Sequence, residues 1–261
     1  MTTAFRTETD GPVLRMAFAR PEKKNAVDLD MLVALAAAYT RLDRDDGLRC
    51  GVLYGEGPVF TAGLDLASVL PRFVADGPGA YLGDDSVDPF GLYGPPCRKP
   101  VIVASHGRCY TVGLELTLAA DLCVSAKGTV FGQQEVTRGI FPFGGATLRL
   151  PQVIGWHNAM KAMLAGDRFT AEEGERMGLV QVLAEPGQHV AAAVELAHRI
   201  AANAPLAVQA TLENARLYRR AGLDAAREHL VSRGRVIATT DDAREGMLSL
   251  MQKRAARFTG R

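Results

Sequence analysis

The sequence predicts an α/β fold built around one large domain, and three observations support that prediction. Short apolar runs typical of strands alternate with helical patterns, which is the order expected of α/β proteins rather than of separate all-β and all-α domains. These strand patterns stop before about Val190, and helix-forming residues dominate beyond it. The 261 residues, 48% of them hydrophobic, are enough to bury about three quarters of the unfolded surface in a core.

The first predicted elements are a strand and a helix. Apolar residues alternate with polar or small ones at Leu14, Met16 and Phe18, which indicates a half-buried strand. Pro21 ends it, because proline provides no amide donor to a sheet. Asp28 is placed to cap the helix that follows. The apolar face of this helix has three- and four-residue spacing and consists of Leu32, Leu35, Ala36, Tyr39 and Leu42.

Three further apolar runs predict buried strands, at residues 50–54, 101–104 and 121–125. Each is short and is bounded by glycine, proline or charged residues, as buried strands are. The segment between the last two runs has a helical pattern. Thr170 and Glu173 have the spacing of a capping box, which predicts a helix that begins there and ends near Gly178.

The C-terminal part of the chain is predicted to be helical throughout. Alanine, leucine, arginine and glutamate dominate from about Val190, and Pro205, Gly222 and Gly234 interrupt the pattern. Because proline and glycine are the residues that most often break helices, we expect three or four helices.

The least regular part of the sequence is residues 70–99, which are rich in glycine, proline and aspartate. Long irregular segments in compact domains are usually either functional or disordered. This one contains four aromatic residues that could pack, Phe73, Tyr81, Phe90 and Tyr93. These aromatic residues favour a lid or pocket wall over a disordered loop.

Composition and charge restrict the partners and the cellular location. The formal net charge is +1, and without a long basic block the composition favours a small-molecule substrate over nucleic acid or a membrane surface. The four cysteines have no spacing that suits a metal site or a disulfide framework. The first residues do not resemble a secretory signal, and no apolar run reaches the roughly 20 residues of a membrane span. We therefore expect a cytoplasmic protein without a bound metal.

Two glutamates, Glu115 and Glu135, are candidates for acid–base chemistry. Glu115 lies in an apolar helical stretch, where an unpaired carboxylate is unfavourable to bury. Two carboxylates in a partly dry pocket can hold different protonation states, so that one acts as a base and the other as an acid. The alternative is structural: a solvated helix residue and a partner in a loop salt bridge. Spacing alone favours the structural interpretation.

Two turns ahead of predicted helices could supply backbone hydrogen-bond donors. Residues 60–66, FTAGLDL, follow a strand and contain a glycine at the bend, with Asp65 at the start of a helix. Thr111-Val112-Gly113 precedes the helix that carries Glu115. Amide groups at such positions point outward without partners, which suits them to stabilise negative charge on a carbonyl oxygen. Each turn taken alone favours an ordinary structural role.

In combination, five sequence blocks resemble the enoyl-CoA hydratase/isomerase, or crotonase, family. They occur in this order: RPEKKNA, FTAGLDL, SHGRCYTVGLELTLAADLCVSAKGTVFGQQE, GIFPFGGATLRLPQVIG and GDRFTAEEGERMGLV. The resemblance implies a spiral of ββα units in residues 1–200, followed by a helical region in residues 201–261 that mediates trimers or dimers of trimers. It also implies an acyl-coenzyme A thioester as substrate. No separate cofactor is expected, since coenzyme A is part of that substrate.

The resemblance also implies roles for individual residues. The backbone amides of Leu64 and Val112 would hold the thioester oxygen, Glu115 would activate water, and Glu135 would deliver a proton to Cα. Further contacts with the acyl-coenzyme A are expected from Lys24, Ala62, Gly63, Asp65 and Leu66.

Hydration of an enoyl-CoA is the reaction that the resemblance favours, because both glutamates are present. Valine at position 112 departs from the family, which usually has glycine there, and the branched side chain is expected to crowd the hole. A double-bond isomerase or another acyl-CoA enzyme on the same scaffold is the alternative. An RNA-binding or scaffolding member is a third possibility, which the near-neutral charge disfavours.

Overall fold

The computed structural model describes residues 3–261 and contains two β-sheets. The larger sheet has six strands in the order β1-β2-β3-β4-β6-β9, and the smaller has three in the order β5-β7-β8. The strands are β1 Phe5–Asp10, β2 Val13–Phe18, β3 Cys50–Gly55, β4 Val101–Ser105, β5 Arg108–Tyr110, β6 Leu122–Ala126, β7 Val130–Gly132, β8 Arg168–Thr170 and β9 Val182–Ala184. Strand β1 is antiparallel to β2, and the remaining pairs of the larger sheet are parallel. The predicted mixed α/β fold is therefore confirmed.

Helices fill the connections and the C-terminal region. Those in the described residues are α1 Leu29–Arg44, α2 Leu66–Asp76, α3 Val112–Ala119, α4 Ala146–Ile154, α5 Trp156–Ala165, α6 Ala171–Arg176, α7 His189–Ala201, α8 Pro205–Ala238 and α9 Asp241–Met251. The Asp28 side chain accepts a hydrogen bond from the Met31 amide, and Thr170 and Glu173 form the capping box at the start of α6. Both predicted helix starts are confirmed.

The core lies on both faces of the larger sheet. On one face, Leu53 and Val103 belong to the same buried cluster as the apolar residues of α1. On the other face, Val52 and Ile102 pack with α7. Since neighbouring residues of one strand face opposite sides, covering both faces explains why these strands are almost uniformly apolar.

Two predictions about the irregular and helical regions were partly wrong. Residues 70–99 are less irregular than expected, because α2 continues to Asp76 with Pro71 inside it, and a short 3-10 helix follows at Gly77–Ala80. In the C-terminal region Gly222 does break the helix, with a φ of 81° inside α8. Gly234 does not, since α8 continues through it to Ala238.

The C-terminal helices are joined to the sheet region by an arginine. Arg216 of α8 donates to the Asp121 carboxylate at 2.6 Å and to the carbonyl of Cys97. Asp121 in turn accepts from the Val101 amide at the start of β4. None of the helices in residues 3–261 has the length and apolar character needed to cross a membrane.

Candidate active site

The two segments that carry the predicted amide donors meet beside the larger sheet. Residues 61–65 follow β3, and residues 111–113 follow β5. The Val27 amide donates to Gly63 at 2.9 Å, and the Asp65 amide donates to Val27 at 2.8 Å. In this parallel bridge the N–H of Leu64 points away from Val27. Val112 is the first residue of α3, where an amide has no acceptor within the helix. In residues 3–261, neither the Leu64 nor the Val112 amide donates a hydrogen bond.

Glycine is required next to each of these two amides. Gly63 has a φ of +117°, and a Cβ atom there would lie 2.5 Å from the Thr111 hydroxyl oxygen. At Gly113 a Cβ atom would lie 2.5 Å from a methyl carbon of Thr61. A real side chain at either position would therefore push the two segments apart.

Backbone strain in this region falls on Thr111 rather than on Val112. Thr111 has a φ of 49° and a ψ of −111°, a conformation that β-branched residues rarely adopt. Such conformations cost about 1–3 kcal/mol and occur preferentially at functional sites. Val112 adopts an ordinary helical conformation, with its side chain 2% exposed in the core. Val112 therefore enters the helix without backbone strain, and the expected crowding of the hole by its side chain stays a prediction.

A narrow apolar cavity opens next to the two free amides. Its empty volume is about 430 Å³, including the part that is open to solvent. Leu64, Val112 and Glu115 all line it. The rest of the lining is mostly aromatic and aliphatic and comprises Leu29, Leu32, Val69, Phe73, Ala80, Tyr81, Phe90, Tyr93, Phe143 and Gly144. The four aromatic residues of the irregular segment thus form a pocket wall, as predicted.

Glu115 supplies the carboxyl group that faces this cavity. Its carboxylate is 3% exposed, and Oε1 accepts hydrogen bonds from the amides of Gly144 at 2.8 Å and Ala146 at 3.2 Å. Oε2 has no hydrogen-bond partner in the described residues. The two amides therefore fix the carboxylate through one oxygen and leave the other available to a ligand.

Glu135 has a similar arrangement outside the cavity lining. It is 6% exposed, and Oε1 accepts from the side-chain amide of Gln133 at 2.7 Å. Oε2 is buried and has no partner in residues 3–261. A buried polar atom without a partner is uncommon and calls for a functional or solvent explanation.

Burial makes both glutamates weaker acids than usual. It raises the pKa of Glu115 to about 8, with the charge of Glu135 adding to the effect and the amide donors opposing it. Burial also raises the pKa of Glu135 to about 7, against the opposing hydrogen bonds from its own backbone amide and from Gln133. Interacting carboxyl groups titrate as a pair. Near neutral pH the pair therefore holds about one proton.

The shared proton is held mainly by Glu115 in the free protein. Burial and the charge of Glu135 outweigh the two amide donors at Glu115, so its pKa is the higher of the two. The difference is about one pKa unit, so the form with the proton on Glu135 is also accessible.

The other predicted site residues lie around the cavity and not in its lining. Lys24 is exposed, and its carbonyl accepts a hydrogen bond from the Ala62 amide at 3.0 Å. The Asp65 carboxylate lies 3.3 Å from the guanidinium of Arg20 and does not cap α2, which begins at Leu66. Asp65 thus holds the loop in place rather than facing the cavity.

Several residues of the site were missed in the sequence. The amide donors to Glu115 come from residues 29 and 31 positions further along the chain, and only tertiary structure brings them together. Gln133 could have been found, since an amide two residues from a buried carboxylate is a plausible partner for it. In residues 3–261 no group of three or more His, Cys, Asp or Glu side chains could hold a metal ion.

Comparison with known proteins gives consistent matches over the whole chain. The model of the family described as enoyl-CoA hydratase/isomerase matches residues 8–261. An enoyl-CoA hydratase of Mycobacterium tuberculosis, EchA19, is 33% identical over 97% of this chain and 96% of its own length. A carnitinyl-CoA dehydratase of Salmonella arizonae is 32% identical over the full length of both chains.

A solved structure also matches closely. A protein from Mycobacterium abscessus, described as a probable enoyl-CoA hydratase/isomerase, superposes with a TM-score of 0.95. The two chains are 46% identical, and the match covers 99% of each.

Proposed function

Because the chain belongs to the enoyl-CoA hydratase/isomerase family, we propose that it adds water across the α,β double bond of an enoyl-CoA thioester. The observation that carries this proposal is the pair of buried glutamates. Each has one oxygen held by a donor and one without a partner. Two such carboxyl groups, of which Glu115 lines the cavity together with the residues that carry the free amides, can supply the base and the acid that hydration requires.

The reaction begins with binding of the thioester. Its carbonyl oxygen accepts hydrogen bonds from the Leu64 and Val112 amides, which polarise the conjugated double bond. The acyl group extends into the apolar cavity. Lys24 is exposed beside residues 62–66, so its ammonium group is available to the phosphates of coenzyme A.

Proton transfer then uses the form of the pair in which Glu115 is ionised and Glu135 carries the proton, which lies within about one pKa unit of the alternative form. The Glu115 carboxylate removes a proton from water as the water oxygen forms a bond to Cβ. The electrons of the double bond move to the thioester, whose oxygen becomes an enolate held by the two amides. The enolate collapses as the Glu135 carboxyl group gives its proton to Cα. The substrate has then gained one water molecule, and transfer of the proton from Glu115 to Glu135 restores the pair for the next cycle.

Loss of the enoyl thioester absorbance of crotonyl-CoA tests this function. We expect Glu115→Gln and Glu135→Gln each to lower kcat by about 10²–10⁴, the usual contribution of a general acid or base. Glu195→Gln on the exposed side of α7 is the matched control and should leave kcat unchanged. Full activity in both site variants would exclude the assigned roles.

One observation favours isomerisation as a second candidate, because Glu115 but not Glu135 lines the cavity. An isomerase needs only one group to move a proton between carbons. It would convert a 3-enoyl-CoA to the conjugated isomer without incorporating oxygen from labelled water, whereas hydration incorporates it. Mass spectrometry of the product distinguishes the two.

We also propose that the chain forms a homotrimer or a dimer of trimers. Large apolar side chains are exposed on the C-terminal helices, including Leu223, Leu230, Val231, Leu250 and Met251. Exposed apolar groups of this kind mark interaction surfaces. Light scattering coupled to gel filtration should give three or six times the mass of the chain, and a monomer would contradict the proposal.

A further inference from the structure

The hydroxyl group of Thr111 is the one polar group of this residue that has no partner in the described part of the chain. Its amide donates to Gly132 at 2.8 Å, and its carbonyl accepts from Glu115 at 2.9 Å. A threonine directly before a helix usually accepts a hydrogen bond from an amide of the first turn. Thr111 does not, because its positive φ turns the side chain away from α3.

The side chain points instead towards Gly63. A Cβ atom built on Gly63 would lie 2.5 Å from the Thr111 hydroxyl oxygen. The polar groups of Gly63 are already engaged, since its amide donates to Thr61 at 3.1 Å and its carbonyl accepts from Val27. The hydroxyl therefore lies over the Gly63 backbone without bonding to it.

This position is next to both free amides. Gly63 immediately precedes Leu64, and Thr111 immediately precedes Val112. The Thr111 hydroxyl, which lies against Gly63, is therefore one residue along the chain from each free amide. The proposed function places the thioester oxygen between these two amides.

We propose that the Thr111 hydroxyl donates a third hydrogen bond to the thioester oxygen. The inference rests on the proposed function, since it needs an oxygen that becomes an enolate at this place. A hydrogen bond to a charged acceptor is about twice as strong as one to a neutral acceptor. The hydroxyl thus stabilises the enolate more than the bound substrate and acts on kcat rather than on KM.

A purely structural role is the alternative, in which threonine only fills the space over Gly63. Three substitutions separate the two roles. Thr111→Val keeps the shape and removes the hydroxyl, Thr111→Ser keeps the hydroxyl and removes the methyl group, and Thr111→Gly removes both and suits the positive φ.

Steady-state hydration of crotonyl-CoA by the full-length protein is the first measurement. We expect kcat to fall about 10- to 100-fold in the valine and glycine variants with little change in KM, and to stay within about threefold of the parent in the serine variant. The glycine variant should lose activity even though it unfolds at a higher temperature. Full activity in the glycine or valine variant would overturn the proposal, as would loss of activity in the serine variant.

Binding of acetoacetyl-CoA gives a second readout that does not depend on turnover. Its enolate has a separate ultraviolet absorbance, so the pKa of the bound ligand can be measured by titration. Loss of a donor should raise that pKa by about one unit in the valine variant and leave it unchanged in the serine variant. If the parent protein neither binds nor hydrates any enoyl-CoA, the proposed function itself fails. If the parent is active and the valine variant matches it, only the role of Thr111 fails.

Discussion

Replacing Glu115 by glutamine should stabilise the folded protein at alkaline pH while it removes activity. Glu115 is 3% exposed, and its pKa in the folded protein is raised from 4.5 to about 8. Its charged form is therefore unfavourable in the fold and favourable in the unfolded chain. Glutamine keeps an oxygen that can accept from Gly144 and Ala146, and it never ionises.

The sign and size of the effect follow from this difference in pKa. Between pH 4.5 and about 8 the folded state binds more protons than the unfolded state, so Glu115 lowers stability as the pH rises. At about 1.36 kcal/mol per pH unit, the total is about 5 kcal/mol well above pH 8 and about 1 kcal/mol at pH 5. The free energy of unfolding of Glu115→Gln, relative to the parent, should therefore rise by about 4 kcal/mol between about pH 5 and pH 9.

Urea denaturation at several pH values and one protein concentration measures this difference. The control is Glu195→Gln, whose side chain is exposed on α7, and its difference from the parent should not change with pH. If the stability difference for Glu115→Gln is constant with pH, or if the variant is less stable than the parent at about pH 9, the assignment of a buried, protonated Glu115 is refuted.

The remaining predictions concern activity. First, kcat/KM for hydration should be greatest between about pH 7 and 8 and fall on both sides. The reaction uses the glutamate pair with one proton, and the two pKa values are about 7 and about 8. A kcat/KM that is constant from about pH 6 to 9 would contradict this prediction. Second, Phe73→Ala should favour longer acyl chains, because Phe73 stacks on Phe143 at 4.5 Å and restricts the cavity. The ratio of kcat/KM for a long to a short enoyl-CoA should rise about tenfold, as expected for burying two more methylene groups at about 0.8 kcal/mol each. Val74→Ala, on the exposed neighbouring residue, should not change this ratio.

Elements with a strong internal pattern could be predicted from the sequence, and elements that depend on partners could not. Helix α1 buries one clear set of residues, so its periodicity identifies it. The strand at β2 was also found, but the half-buried prediction was wrong, because β2 is buried on both faces and only Arg15 is partly exposed. In β1 only Phe5 is fully buried, and its strand conformation depends on pairing with β2. The three-residue strands β5, β7, β8 and β9 are too short to show any period.

The same distinction applies to the site. Glu115 could be found because a carboxylate in an apolar helix is unusual wherever that helix packs. Which atoms hold the carboxylate could not be predicted, since the amides of Gly144 and Ala146 reach it only through the packing of α3 against α4. Sequence can therefore indicate that a group needs partners, but the fold decides what they are.

Threonine at position 111, rather than valine at position 112, carries the backbone strain of the turn before α3. The Val112 amide points outward at the residue where α3 begins. The unusual φ therefore falls on Thr111, the residue before the helix. Val112 is already helical, and branched residues tolerate that conformation at a small cost. Thr111 takes the strain, and glycine in its place would relieve it. A threonine at this position, with its hydroxyl against Gly63 and next in the chain to the free Val112 amide, is explained better by what the hydroxyl can bind than by the needs of the turn.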